Sequence, residues 1–351
     1  MAKTQARGVP TPRRKTSAAQ RVRLLLTCIG RRVELLRAFR RAGERLDLRL
    51  EIHGADASPL APAIHLVDRP HVVPSIASGQ YIAALLEIVR LEKIDLLIPL
   101  IDWELPPLAE SARQFADLGC RALISSEWVV QTCRDKLATY RVLTDAGIDT
   151  PQTWSLADAL ALKRHYFPYF LKPRCGSAAR GNYVVRGFDE LQTFGRRVED
   201  AIVQEFVQGL EHTLDIYTGF DGRPRCIVPR RRIEVRTGEV SKGVIVKDRS
   251  LMAVGRRAAE VLRECRGVIT LQCIRTPQGR IRVIEINPRL GGGAPLSIHA
   301  GADFPRWILE ELLGHRPRIR PTGFADDVAM LRYDDSVFVP QASRLMAESG
   351  L

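Results

Sequence analysis

The stretch LQCIRTPQGRIRVIEINPRLGGG, residues 271–293, decides the fold of this chain. Apolar and polar residues alternate on both sides of residues 276–279 (TPQG), which have the composition of a turn, so the stretch predicts a β-hairpin. The alternation places Glu285 and Asn287 on the same face of the second strand as Val283. A carboxylate at an apolar position is costly to bury unless it has a charge partner. The hairpin therefore predicts a fold, and it also requires either a bound cation or a charge partner within the protein for Glu285.

The first strand of this hairpin adds a third oxygen-bearing side chain. Gln272 shares the face of Glu285 and Asn287 in any register whose opposed residue numbers sum to an odd value. Oxygen ligands of this kind suit a hard cation such as Mg²⁺ or Mn²⁺. Arg289 follows on the same side and can reach a phosphate. The alternative is a buried ion pair between Glu285 and Arg289, and spacing leaves both interpretations open.

Two lysines precede the hairpin. Lys136 lies in residues 127–147, whose apolar stripe predicts one continuous helix, and Lys172 ends a predicted aromatic-rich strand. The small-residue loop that follows can cradle phosphates with its backbone N–H groups, and both lysines can add charge to such a site. The loop residues that we single out are Gly176, Ser177 and Gly181. A lone lysine or a small-residue loop is more often only solvent-exposed, so neither feature is decisive.

Residues 21–125 alternate strand and helix patterns, which favours a Rossmann-like parallel sheet covered by helices. A strand ending at Gly30, a helix and then Asp56 after a second strand resemble a dinucleotide site. That fingerprint needs three glycines, and TCIGRRVE supplies one. We therefore expect an α/β lobe without a dinucleotide of its own.

Composition limits the remaining possibilities. The 351 residues, 45% hydrophobic and 26% charged, suit two or three globular lobes, and no apolar run approaches the ~18 residues of a membrane span. Seven scattered cysteines without a CxxC pair favour a reducing cytoplasm. The first twenty residues carry +5 of the net +13 and predict a disordered basic tail. The excess that remains suits a polyanion, either a nucleotide or a nucleic acid.

The motifs DK…GIDTP, FLKPRCGSAARG, VQEFVQGLE and Q…VIEINPRLGGG occur in an order that resembles the ATP-grasp superfamily, specifically its carbamoyl-phosphate-synthase-like branch. The resemblance covers about residues 21–315 and implies an α/β lobe followed by a two-lobed α+β ATP-grasp fold. The domains we expect are a tail over 1–20, a pre-ATP-grasp domain over 21–125, an ATP-grasp domain over 126–320 with a lid at about 151–205, and a C-terminal extension over 321–351.

The resemblance also implies roles for individual residues. Lys136 and Lys172 would bind ATP phosphates under a flap at 175–181, and Arg289 with Lys172 would be catalytic. The Glu205 carbonyl and the Val207 N–H would read the adenine edge. The remaining roles are ribose binding by Glu211 and Mg²⁺ binding by Gln272, Glu285 and Asn287. Gln272 stands where many members have Glu, which removes one negative charge from the metal site.

The function we expect is an ATP-dependent ligase that joins a small carboxylate to an amine through an acyl phosphate. Carbamoyl phosphate synthase itself has two such units, and this chain has one. The alternative is an ATP-binding regulatory or nucleic-acid-associated module, suggested by the basic tail and by the arginines at 223, 225, 230, 231 and 232. We expect nucleic acid and membranes not to be partners, and a homodimer is possible.

Overall fold

The computed structural model describes residues 20–176, 181–236 and 238–340, together with Ser343, Leu345 and Met346. The predicted tail therefore lies, except for Gln20, outside the described residues. The N-terminal part forms a parallel sheet in the order β3-β2-β1-β4-β5. Its strands are β1 (Arg21–Thr27), β2 (Arg49–Asp56), β3 (Arg69–Val72), β4 (Leu96–Pro99) and β5 (Arg121–Ala122). Its helices are α1 (Val33–Arg45), α2 (Tyr81–Glu92), α3 (Leu105–Glu110) and α4 (Ala112–Asp117).

Two helices, α5 (Glu127–Arg134) and α6 (Lys136–Asp145), lead into a small antiparallel sheet with the order β6-β9-β7-β8, which we call the lid sheet. Its strands are β6 (Thr153–Ser155), β7 (Tyr169–Pro173), β8 (Tyr183–Val185) and β9 (Ala201–Glu205), and its helices are α7 (Leu156–Leu160) and α8 (Phe188–Gly195). Tyr169, Leu171 and Val203 bury one face of this sheet in a core of its own.

The rest of the chain builds a larger antiparallel sheet in the order β14-β13-β10-β11-β12-β15, which we call the large sheet. Its strands are β10 (Leu210–Gly219), β11 (Cys226–Arg236), β12 (Glu239–Ile245), β13 (Gly267–Arg275), β14 (Ile281–Asn287) and β15 (Ala329–Leu331). The helices are α9 (Arg249–Leu262), α10 (Ala294–His299) and α11 (Phe304–Leu312). The predicted C-terminal extension thus contributes β15, which pairs with β12 at the sheet edge.

The two faces of the large sheet have different chemistry. One face packs Leu214, Leu271 and Ile286 against α9 in an apolar core. The opposite face is apolar at the end near Tyr217, which shares a core with the parallel sheet and α11. Farther along, this face carries polar side chains, and we call that part the cleft face. It consists of Glu211, Thr213, Asp215, Arg230, Thr270, Gln272, Glu285 and Asn287.

The helix predicted over residues 127–147 is wrong in one respect, because it is broken at Asp135. Asp135 has an extended backbone (φ −88°, ψ 105°) and caps α6, accepting hydrogen bonds from the backbone N–H groups of Leu137 at 2.9 Å and Ala138 at 3.1 Å. Arg174 binds both oxygens of the same carboxylate. A capping aspartate satisfies N–H groups that a helix start otherwise leaves unpaired, so the break is stabilised locally.

This cap gives a stability prediction. Asp135→Ala removes the cap and the partner of Arg174, which we expect to cost about 1–3 kcal/mol of unfolding free energy. Calorimetry should show a melting temperature lower by a few degrees. Asp145→Ala is the matched control, because Asp145 is an exposed residue at the other end of the same helix. Equal melting temperatures for both variants would contradict the assignment of the cap.

No helix among the described residues is both long enough and apolar enough to cross a membrane.

Candidate active site

The helix break at Asp135 places Lys136, the first of the predicted phosphate-binding residues, at the start of α6. Lys136 begins α6, is 9% exposed, and donates a hydrogen bond from Nζ to the carbonyl oxygen of Gly176 at 2.8 Å. Lys172 on β7 is 5% exposed and close enough to Lys136 for the two charges to repel. Burial lowers the pKa of Lys172 to about 8; Glu285 opposes this decrease and Lys136 adds to it. Two cations held this close together favour an anionic ligand.

The predicted flap is described only at its two ends. Gly176 accepts the hydrogen bond from Lys136, and Gly181 adopts a left-handed φ of +73° before β8. A Cβ on Gly181 would stand 3.2 Å from the Pro173 side chain, so glycine suits this position for space as well as for backbone angle. Ser177 lies outside the described residues.

The β13–β14 hairpin forms as predicted, and its register changes once, which corrects the predicted face. Gln272 lies opposite Glu285, an odd sum, whereas Cys273 lies opposite Val283, so Ile284 is an extra residue in β14. Such a β-bulge reverses the alternation. Val283 therefore faces the apolar core, whereas Glu285 and Asn287 face the cleft. The prediction that all three residues share one face is wrong. The carboxylate does not occupy a core position.

The cleft residues of the hairpin fit a magnesium ion by donor chemistry. Within the described ranges, the side chains of Gln272, Glu285 and Asn287 make no hydrogen bond or ion pair with one another or with other residues. Their oxygens are therefore available to a hard cation. The set contains a single carboxylate, and no group of three His, Cys, Asp or Glu side chains suited to a metal occurs in the described part of the chain. Metal binding would thus rest largely on neutral oxygens and on ligand phosphates.

The predicted nucleotide-reading residues lie at the junction of the two sheets. β9 ends at Glu205, and Val207 lies in the linker between β9 and β10. The Glu205 side chain accepts a hydrogen bond from Arg282 at 2.7 Å, which orients the strand end. Glu211 forms an ion pair with Arg232 at 3.1 Å. Burial raises the pKa of Glu211, and Arg232 opposes the increase.

Arg289 has a different partner from the one that the sequence suggested. Its Nη2 donates to Asp102 at 2.6 Å, across the boundary with the parallel sheet, so the alternative pairing with Glu285 is wrong. Asp102 lies three residues after the end of β4, at the start of a short 3₁₀ segment, Asp102–Glu104. The Nε of Arg289 and the Oδ1 of Asp102 are buried and have no hydrogen-bond partner among the described residues. The pair is therefore fixed in position, and one donor (Arg289 Nε) and one acceptor (Asp102 Oδ1) are available for a ligand.

Sequence reasoning missed a buried pair beneath the site. Arg230 is 2% exposed and makes two hydrogen bonds, of 2.7 and 2.9 Å, to Asp215, which also accepts one from Ser297. A Cβ on Gly293 would stand 2.3 Å from Arg230 Nη1, so the last glycine of the LGGG loop permits the loop to lie against this arginine. Strand alternation could have identified Asp215, since it shares a face with Thr213 and Glu211.

The five arginines that motivated the nucleic-acid hypothesis do not form one surface. Arg230 and Arg232 face the cleft, and Arg231 points to the opposite side of β11. Arg223 and Arg225 pair with Asp221 at 4.0 and 2.9 Å, and Arg225 also pairs with Glu311, at the far end of the sheet. The cluster is divided among three places, which does not suit a continuous polyanion.

The low pKa of Lys172 gives a test of phosphate binding. If Lys172 contacts phosphate as a cation, ATP binding must be weaker above pH 8, where the free protein loses this charge. Lys172→Ala should lower ATP affinity about 10- to 150-fold at pH 7, as for a charge-assisted hydrogen bond, and should flatten the pH dependence between about pH 7 and 9. Isothermal titration calorimetry measures both effects.

Lys163→Ala is the control, because Lys163 is an exposed lysine of the lid region. A wild-type affinity that does not change with pH, or a Lys172→Ala variant that binds ATP normally, would show that Lys172 does not contact the nucleotide.

Comparison with protein-family models places this geometry in a known context. Residues 24–123 match the PylC-like N-terminal domain, and residues 133–293 match the ATP-grasp domain. The first match covers the parallel sheet, and the second begins just before α6 and ends in the LGGG loop. All the predicted site residues lie within the second match.

Curated relatives have similar sequences over part of their length. The chain is 26% identical over 185 residues to the 3-methyl-D-ornithine–L-lysine ligase of Methanosarcina acetivorans, covering 52% of this chain and 46% of that one. It is 26% identical over 198 residues to the D-alanine–D-alanine ligase of Aquifex aeolicus, covering 50% and 66%. The chain thus spans about half to two thirds of the length of these relatives.

Solved structures show the same fold at low sequence identity. The biotin carboxylase domain of Hydrogenobacter thermophilus 2-oxoglutarate carboxylase superposes with a TM-score of 0.70 at 15% identity, over 87% of this chain and 73% of that one. An L-amino acid ligase from Bacillus licheniformis gives 0.64 at 20% identity, over 83% and 74%. These likenesses confirm the predicted fold class. With a PylC-like N-terminal domain followed by an ATP-grasp domain, the chain is a member of the ATP-grasp superfamily.

Proposed function

We propose that this protein is an ATP-dependent carboxylate–amine ligase that uses Mg²⁺ and forms an acyl phosphate. One observation carries the proposal. Buried Lys136 and Lys172 lie near Glu285. Glu285 is on the cleft face, where the side chains of Glu285, Gln272 and Asn287 have no hydrogen-bond or ion-pair partner within the described part of the chain. Cations and oxygen donors arranged in this way suit a metal–triphosphate. The names of the curated relatives, which are ligases, support the same reaction class.

The nucleotide would lie between the lid sheet and the large sheet. In this proposal the Glu205 carbonyl and the Val207 N–H bind the adenine edge, and Glu211 binds the ribose hydroxyls. Lys136, Lys172 and the loop from Gly176 to Gly181 bind the phosphates. Phosphoryl transfer needs positioning and charge stabilisation more than covalent help, and these residues provide both.

Gln272, Glu285 and Asn287 would hold Mg²⁺ (or Mn²⁺), which neutralises phosphate charge when bound. Arg289 would stabilise the transferred phosphoryl group, since Asp102 fixes its guanidinium and its Nε has no partner among the described residues. The substrate carboxylate attacks the γ-phosphorus, and ADP leaves. An amine then attacks the acyl carbon, phosphate leaves, and the new C–N bond remains.

A homodimer and a cytoplasmic location are also part of this proposal. The Hydrogenobacter biotin carboxylase domain, which shares this fold, was solved as a dimer.

The proposal is tested by trapping the acyl phosphate. Purified protein is incubated with Mg-ATP, hydroxylamine and pools of D- and L-amino acids or small mono- and dicarboxylates. We expect carboxylate-dependent ADP release together with hydroxamate formation from at least one pool. Lys172→Ala, assayed in parallel, should lose both products by at least tenfold, which excludes a contaminating ATPase.

Nucleotide binding without ADP release or hydroxamate from any pool would contradict the ligase proposal. That outcome would favour the regulatory ATP-binding module instead, for which the comparisons give no support.

A further inference from the structure

The loop that follows β4 belongs to the parallel sheet but reaches the candidate active site. It contains Asp102 and Glu104, and Asp102 binds Arg289. In open parallel α/β sheets, ligands bind at the carboxyl ends of the strands, and this loop lies at that end of β4. Nothing in the sequence motifs above assigns it a role.

Glu104 makes the loop rigid. Its side chain is fully buried and accepts hydrogen bonds from the backbone N–H of Leu100 at 2.8 Å, the backbone N–H of Ile101 at 3.1 Å and the hydroxyl of Tyr81 at 2.6 Å. Burial raises the pKa of Glu104, and these hydrogen bonds oppose the increase. The clamp holds the backbone on both sides of Asp102, so the position of its carboxylate is set by the fold.

The two carboxylate oxygens of Asp102 differ in their contacts. Oδ2 accepts the hydrogen bond from Arg289 at 2.6 Å, whereas Oδ1 is buried and has no partner among the described residues. Leaving a buried carboxylate oxygen unpaired is costly. A ligand that donates a hydrogen bond, above all a cationic one, would remove this cost.

The neighbouring cavity shows where such a ligand fits. Its volume is about 30 Å³, enough for one or two water-sized groups such as an ammonium, and it is lined both by Asp102 and by the metal-site residues Glu285 and Asn287. Trp103 provides an apolar wall, and Arg134 also lines the cavity. Arg134 is exposed and makes no ion pair within the described ranges. The cavity is therefore lined by predicted metal-site residues on one side and by the carboxylate of Asp102, the ring of Trp103 and the guanidinium of Arg134 on the other.

We propose that Asp102 binds the amine substrate, that Arg134 binds its carboxylate, and that the acceptor is therefore an α-amino acid. This inference rests on the proposed ligase function. Asp102 Oδ1 accepts a hydrogen bond from the amine nitrogen and holds it beside Glu285 and Asn287, where the acyl group would form. The ammonium group first loses one proton to solvent, and the neutral nitrogen then bonds to the acyl carbon. The C–O bond breaks, phosphate leaves with the electron pair and takes a second proton from the nitrogen, and the amide keeps one N–H.

The experiment compares two nucleophiles on the same acyl phosphate. Pools of the twenty standard amino acids serve as acceptors in one series, and hydroxylamine, which is largely uncharged at neutral pH and lacks a carboxylate, serves in the other. Asp102→Asn should raise the KM for the amino acid about 10- to 150-fold, at least tenfold more than it affects hydroxamate formation. Asp117→Asn, an exposed change in the same domain, is the control and should alter neither.

Arg134→Gln separates an amino acid from other amines and serves if Asp102→Asn does not fold, since Arg134 is exposed. It should raise the KM for the accepted amino acid by at least tenfold but not the KM for the methyl ester of that amino acid. Equal losses with both nucleophiles would show that Asp102 only positions Arg289 and would overturn the inference.

Other outcomes are equally decisive. An unchanged KM in both variants, or a wild-type enzyme that forms hydroxamate but accepts no amino acid, also overturns the inference and leaves the ligase function intact. A wild-type enzyme that forms no hydroxamate contradicts the ligase function itself, so the two failures are distinguishable.

Discussion

One extra residue in β14 determines which way the candidate metal ligands face. If β14 were regular, with no bulge at Ile284, strict alternation would direct Glu285 and Asn287 into the apolar core that Val283 occupies. The bulge keeps the core side continuous and turns both polar side chains to the cleft, opposite Gln272 and Thr270. An ionised carboxylate in an apolar core would cost several kcal/mol without a charge partner. The site and the stability of the sheet are therefore compatible because of this single irregularity.

The charges around the cleft fall into two groups. Most of the acids are paired with arginines. Substitution of one partner destabilises the protein, because the other charge is left uncompensated. These pairs are Arg230–Asp215, Arg232–Glu211, Arg282–Glu205 and Arg289–Asp102. Lys172 and Glu285 form no ion pair within the described ranges, although Glu285 opposes the decrease in the pKa of Lys172. The ion-paired residues stabilise the cleft, and the side chains of Lys172 and Glu285 are available to bind a ligand.

Much of this arrangement follows from local sequence pattern. The hairpin and its turn are consequences of alternation and turn composition, which are short-range, whereas the pairing of Gln272 with Glu285 depends on the bulge at Ile284. The bulge was not predictable in this way, because one additional residue leaves no mark in an apolar run. The break at Asp135 was missed because helical periodicity continues across it, and the cap is apparent only with Arg174 in place. The role of Asp102 was not predicted because its partner, Arg289, lies 187 residues away in the sequence and meets it only through the tertiary fold.

The central claim, that Glu285 holds the metal of the nucleotide complex, is tested most directly by melting temperatures measured with ADP and EDTA and then with ADP and Mg²⁺. Mg²⁺ should stabilise the wild type further through binding. Glu285→Gln should melt within about one degree of the wild type without ligand, since Glu285 has no ion pair to lose in the described part of the chain, and should lose most of the Mg²⁺-dependent gain. Glu260→Gln, at an exposed position of α9, should behave like the wild type. A Glu285→Gln variant that melts several degrees lower without ligand yet retains the full Mg²⁺-dependent gain would contradict the account.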